Sequence, residues 1–300
     1  MRRLSLSFFL LPLLGFSQDP ANSLLWKVEG NGLTRPSYVV GTVHSRDARA
    51  FGQVPQLLRI IAKQDGVVGE LDLTAPIGNP ADLAVAMMMP PGKELSGFYS
   101  KKQLKVVQDR VQQELGAMAL LTARMKPFYL MAMLGETTMK EDSALVLDQY
   151  LEQKAKSMGK QVIGLETIQE QLAAVDDLPL QKQADMLYDL VQHDLYREDL
   201  ERMLNAYAAQ DLDSLTHICA MGGMPAIFNT RLLTDRNRVM AQRADSLLRT
   251  GHTYLIAVGA AHLPGNDGLL AALRAKGYRV VPVPKNEPAI APRQLGLLEP

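Results

Sequence analysis

Four short hydrophobic runs, each ending in glycine and then, within three residues, in a histidine or glutamate, constrain this chain most. They are Tyr38-Val39-Val40-Gly41-Thr42-Val43-His44, Val67-Val68-Gly69-Glu70, Val162-Ile163-Gly164-Leu165-Glu166 and Leu255-Ile256-Ala257-Val258-Gly259-Ala260-Ala261-His262. Runs this short and rich in β-branched residues suit strands buried on both faces of an α/β sheet. Open sheets of that class bind ligands just beyond the carboxyl ends of their strands. The expected fold is therefore α/β: a central, mostly parallel or mixed sheet flanked by helices. Two imidazoles and two carboxylates are expected at one edge of it.

The spacing of the remaining segments fills in this frame. Gly30-Asn31-Gly32 predicts a turn before a first strand over residues 37–43. A helix over residues 53–63, with Pro55 in its first turn, leads to a second strand over 66–71, the spacing of a parallel crossover. Residues 73–140 contain no clear strand; the Met87–Met89 run, Pro90-Pro91-Gly92 and an amphipathic stretch over 101–115 predict a helical insertion between the second and third strands. Its many methionines suit packed helices or a substrate groove or lid. Leu147, Tyr150, Leu151, Ala155 and Met158 recur at helical spacing before a third strand over 161–165. Residues 180–209 lack glycine and proline and predict one long helix or two in tandem. A helix over 230–249 and strands over 253–258 and 278–283, joined by a helix over 267–276, complete the pattern.

The termini carry a different message. Arg2 and Arg3 precede an apolar stretch from Leu4 to Leu14, and Gly15-Phe16-Ser17 supplies small residues before a cut. This predicts a signal peptide over residues 1–17, export to a periplasmic or extracellular space, and no stable membrane insertion after cleavage. Residues 18–284 are read as one α/β domain, and the proline-punctuated residues 285–300 as a loose tail. Lysine plus arginine equals aspartate plus glutamate at 32 each, with no long basic run, so nucleic acid is not an expected partner. The single cysteine, Cys219, has no internal partner and is read as a small buried residue.

Chance supplies roughly 0.4 Gly-x-x-His matches in a chain with this many glycines and histidines, and this one has two. Both follow strand-like runs, in opposite halves of the chain. His44 and His262 with Glu70 would suit zinc, manganese, cobalt or iron(II), leaving positions open for water and substrate. A second carboxylate, Glu166, could take a proton. Leu233, Asn237, Met240, Ala244 and Leu247 share one helical face, which places an amide on an apolar stripe, where it needs partners. Its neighbour Arg236 could bind a substrate carboxylate or an oxyanion. Nothing resembles the His-Glu-x-x-His helix of common zinc peptidases.

Taken in order, these residues resemble the TraB/GumN family, which includes the TIKI-type metalloproteases. The resemblance rests on Gly41-Thr42-Val43-His44, Gly69-Glu70-Leu71-Asp72, the stretch Gly159 to Thr167, Leu232 to Asn237, Val258 to Gly265 with Gly268-Leu269-Leu270, and Gly277 to Val280. It implies a fold related to erythromycin-esterase and ChaN-like proteins. It also implies a divalent metal such as manganese or cobalt, with His44 and His262 as ligands or catalytic histidines and Glu70 as their carboxylate partner. Glu166, Arg236 and Asn237 match further family positions. The resulting expectation is an exported metal-dependent hydrolase acting on a peptide or small-molecule substrate. A metal-independent hydrolase using His/Glu acid–base chemistry, and a haem- or peptide-binding protein without turnover, are the alternatives.

Overall fold

A computed structural model describes residues 22–284 apart from 77, 194 and 222–224. The expected signal peptide and C-terminal tail lie outside the described residues. Six strands form one mixed sheet: β1 (Leu25–Glu29), β2 (Ser37–Thr42), β3 (Gly66–Gly69), β4 (Gln161–Gly164), β5 (Tyr254–Gly259) and β6 (Arg279–Pro282), in the order β4-β3-β5-β2-β1-β6. The run β4, β3, β5, β2 is parallel throughout. All four of its carboxyl ends therefore open on one edge, and each of the four runs singled out above ends there. β1 pairs antiparallel with both β2 and β6.

Two features of the sheet depart from the sequence expectation. β1 precedes the Gly30–Gly32 turn, where no strand was expected; its five residues carry Lys27 and Glu29, and the charges break the apolar run. Alternation survives in it, since Leu25, Trp26 and Val28 are buried. The turn itself uses three successive left-handed residues, with φ of 80°, 47° and 87°, which two glycines and an asparagine adopt at little cost. The last two strands, consecutive in the chain, are not neighbours: β6 sits at the far edge, registered Trp26↔Pro282 to Glu29↔Arg279 against β1.

Among the described residues, twelve helices surround the sheet. These are α1 (Val54–Lys63), α2 (Pro80–Ala86), α3 (Lys101–Leu115), α4 (Pro127–Thr138), α5 (Leu147–Ser157), α6 (Ile168–Asp176), α7 (Leu180–His193), α8 (Leu195–Ala208), α9 (Leu212–Met221), α10 (Ala226–Asn229), α11 (Asp235–Leu248) and α12 (Leu269–Ala275). α1, α5, α11 and α12 bury Leu57 and Ile61, Leu147 and Leu151, Met240 and Ala244, and Leu269 and Leu273 in the core that covers the sheet. The segment between β3 and β4 is helical and joins α7 in a second cluster, in which Val107, Val111, Leu130 and Leu134 meet Leu187 and Val191. Within it a single antiparallel bridge pairs Met88 with Met125. The stretch over 180–209 forms two helices. Cys219 is exposed rather than buried, because α9 turns it outward while Leu212 and Leu215 face the core.

Among the described residues, no helix is long and apolar enough to cross a membrane.

Candidate functional site

The glycines at the strand ends are required by crowding rather than by backbone conformation, since Gly41, Gly69, Gly164 and Gly259 all have ordinary φ values. A Cβ on Gly41 would lie 2.8 Å from Leu263 Cδ1, and one on Gly69 only 2.2 Å from Glu152 Oε1. On Gly164 it would meet the Asp72 backbone nitrogen at 2.9 Å, and on Gly259 it would crowd Glu70 Oε1 at 3.2 Å. Missing side chains thus let four loops close over the edge of the sheet, and the side chains that follow converge.

Glu70 and Glu166 come together first. Beyond the last β3–β4 pair the two chains stay in register, with Leu165 N donating to Gly69 O at 2.8 Å and Glu166 N to Glu70 O at 2.7 Å. From the far side, α11 reaches in with Arg236. Its Nε donates to both Glu166 oxygens at 3.1 Å; its Nη2 donates to Glu166 Oε2 at 2.7 Å and to Glu70 Oε2 at 2.5 Å. Its Nη1 is held by Leu232 O at 3.1 Å, a carbonyl in the single π turn Thr230–Thr234 that precedes α11. Such turns re-phase a helix and recur at functional sites. Gln171 Nε2 reaches Glu70 Oε2 and Glu166 Oε2, each at 3.3 Å. A capping box between Thr167 and Glu170 starts α6 and sets that glutamine in place. Seven residues on from Arg236, Arg243 binds Leu165 O at 2.6 Å and Glu170, pinning α11 to the same junction.

The other oxygen of Glu70 faces a histidine. Glu70 Oε1 accepts from Gly259 N at 2.8 Å and stands 3.6 Å from His262 Nε2. His262, on the single turn after β5, is 4% exposed. Its Nδ1 lies 2.7 Å from Asn237 Oδ1, while Asn237 Nδ2 donates to Asp267 O at 2.8 Å. The second bond fixes the orientation of the amide, so its oxygen accepts and His262 Nδ1 carries the proton. Burial lowers the pKa of this histidine, with Arg236 acting in the same direction and Glu70 opposing. The neutral ring therefore turns an unprotonated Nε2 toward a carboxylate oxygen.

His44 is held differently. It leaves β2 on an exposed loop, with its side chain 62% exposed and Nδ1 3.6 Å from Asp148 Oδ2. The Asp148 carboxylate raises the pKa of this imidazole; desolvation opposes it, and Glu136 and Glu70 reinforce it. Asp148 is fixed through its other oxygen by Thr42 Oγ1, and its Oδ2 is buried without a hydrogen bond inside the protein. One turn on, Glu152 is 1% exposed and accepts from Leu73 N at 2.7 Å. Burial pushes this carboxyl up to about 8, with Asp72 and Asp148 nearby adding to the effect. Sequence reasoning missed both residues. Their signal was a pair of acids four apart on α5, each directly following a leucine of its apolar face.

Thr42, His44, Glu70, Asp148, Glu152 and Gln171 line one cavity of about 250 Å³. The structure thus joins Glu70, Glu166 and Arg236 in one bonded network, sets the bonded pair Asn237 and His262 3.6 Å from it, and places His44 on the wall that Glu70 also lines. Every polar side-chain atom of Glu166, Arg236 and Asn237 has at least one hydrogen-bond partner within the protein. Among the described residues, no three His, Cys, Asp or Glu side chains are close enough to share a metal ion. The donor chemistry nevertheless fits a divalent cation. An unprotonated imidazole nitrogen faces a carboxylate oxygen with no proton donor between them, and a buried Asp148 oxygen is left without a bond beside a second imidazole.

Comparison with known proteins identifies the family of the chain. The sequence profile described as TraB/PrgY/gumN family matches residues 24–282. The chain is 27% identical to Metalloprotease TIKI2 of Danio rerio, in an alignment covering 91% of this chain and 63% of that protein. It is 27% identical to Metalloprotease TIKI1 of Homo sapiens, covering 90% and 64%. It is also 25% identical to Uncharacterized protein YbaP of Shigella flexneri, covering 80% and 88%. The chain therefore spans less than two-thirds of the length of those two metalloproteases. No solved structure matches it significantly.

Proposed function

Since this chain belongs to the TraB/PrgY/gumN family, we propose that it is an exported metal-dependent hydrolase whose substrates are peptides. The metalloprotease relatives support hydrolysis in general; the facing pair of His262 Nε2 and Glu70 Oε1 is the observation that carries the assignment to this edge of the sheet. His262, Glu70 and His44 would hold the metal, whose donor set suits manganese, cobalt or zinc. A divalent ion there supplies Lewis acidity toward a scissile carbonyl and acidifies water.

The protein's own groups have separable parts in this reading. Asn237 holds His262 in the tautomer that leaves Nε2 free. Arg236 and Gln171 fix one Glu70 oxygen, so that the other is presented to the cavity. Because its donors are already engaged, Arg236 acts on the carboxylates and not on the substrate; Glu166 anchors Arg236. Asp148 stands against His44 Nδ1 and orients the ring, which would leave Nε2 for the metal.

Release of peptide fragments from a library by the purified protein, abolished by exhaustive chelation and restored by manganese or cobalt, is the expected result. A second reading is favoured by the same 3.6 Å separation. A neutral histidine facing a carboxylate is also an acid–base pair able to activate water unaided, and cleavage that survives chelation would replace the metal-dependent reading with this one.

A further inference from the structure

On the side of His44 away from Glu152 lies a second cavity, of about 420 Å³, that shares His44 and Leu73 with the first. Its volume falls within the ~300–1,000 Å³ range of small-ligand sites. Leu73, Leu115, Met133, Met139 and Val146 supply its apolar wall, each half-buried. They come from four separate places in the chain: the loop after β3, the end of α3, the middle of α4 with the residue after its end, and the residue before α5. Thr137, also on the wall, donates its hydroxyl to Leu134 O at 2.9 Å, so that group is already engaged. The mouth carries Arg46, paired with Glu141 at 2.8 Å; the two side chains are 45% and 73% exposed. A pair that exposed contributes little and opens readily.

We propose that this cavity is a specificity pocket for a large apolar side chain of the substrate, beside the bond to be cleaved. The inference rests on the hydrolase reading above. The shared His44 puts the pocket beside the proposed metal site; Glu136, Lys140 and Gln149 also line it, and its apolar wall offers a side chain burial. Two methionines in the wall adapt to different shapes, so leucine, methionine and phenylalanine all fit, while glycine leaves the wall uncovered and aspartate forgoes that burial. The methionine-rich segment between β3 and β4 thereby acquires a role in substrate choice.

The test uses acetylated hexapeptide amides that differ only at one central position, occupied by leucine, methionine, glycine or aspartate. kcat/KM for the leucine and methionine peptides is expected to exceed that for glycine by about 10–100-fold, the range that burial of such a side chain supports. Met133→Glu, which charges the pocket, and Leu115→Trp, which fills it, each reduce that preference below about threefold. Binding of the same peptides to the Glu70→Gln variant, measured by calorimetry, separates the pocket from the chemistry. Discrimination in binding with no cleavage of any peptide by the unmodified protein retains the pocket and removes the peptidase reading. Cleavage with a preference that neither variant alters removes the pocket and retains the peptidase. Equal binding of all four peptides also overturns the pocket.

Discussion

His262 Nε2 and Glu70 Oε1 face each other across 3.6 Å, and both are acceptors. The proton of the ring is on the opposite nitrogen, held by Asn237 Oδ1 at 2.7 Å, and the carboxylate is held from behind by Arg236 and Gly259 N. Two lone pairs pointed together in a buried place cost energy unless a cation or a proton sits between them. The predictions below depend on that arrangement and on the groups that impose it.

Asn237→Ala removes the acceptor that selects the tautomer of His262. Metal affinity is expected to fall by about 10–100-fold, the usual consequence of losing the hydrogen-bond partner of a ligating histidine. The fold persists, with a stability loss of about 1–3 kcal/mol for the carbonyl and ring nitrogen left unpaired. Isothermal titration with manganese and urea unfolding measure the two effects separately; unchanged affinity would show that Asn237 serves the fold alone.

Arg236→Met leaves Glu70 and Glu166 side by side without the guanidinium between them. Breaking a buried pair in this way is expected to cost about 3–5 kcal/mol. Adding Glu166→Gln relieves the repulsion and returns part of that loss, but not the activity, because Glu70 is no longer fixed. Chemical denaturation of the single and double variants measures the coupling; additive losses would contradict it.

Glu152 is expected to be neutral in the folded protein across much of the neutral range, since burial pushes its carboxyl up to about 8. The unfolded chain releases this proton near its ordinary value of about 4.3, so between those two values the folded state binds more protons. Stability therefore falls as pH rises through that window, with a slope from this group of at most about 1.4 kcal/mol per pH unit. Glu152→Gln keeps an acceptor for Leu73 N and removes the slope. Urea midpoints at pH 5 and pH 8.5 should diverge in the unmodified protein more than in the variant; equal divergence would refute the assignment.

Asp148→Asn removes the charge that raises the pKa of His44. The His44 titration, followed by NMR, should move to lower pH, and any limb of the activity profile governed by His44 should move with it. A titration that stays in place would show that Asp148 does not act on His44 electrostatically.

The sheet edge was legible because each of its four parallel strands is a short apolar run with a glycine at its end. The convergence of Glu70 with Glu166 follows from that geometry, while Asn237 reaches His262 from α11. The glycines are sites of close approach, and which atoms they approach depends on neighbours from distant parts of the chain. β1 escaped notice because Lys27 and Glu29 interrupt it, and the edge position of β6 is fixed by pairing with β1, which local spacing does not encode. Asp148 and Glu152 were invisible for a related reason. Acidic residues on a helix ordinarily face solvent, and only the packing of α5 against β3 turns Glu152 inward, onto Gly69.

The most direct measurement is the metal content of the purified protein and of its His44→Ala, His262→Ala double variant, each loaded with manganese and dialysed. The account predicts about one equivalent bound by the unmodified protein and none by the folded double variant. Stoichiometric metal retained by the double variant would contradict it.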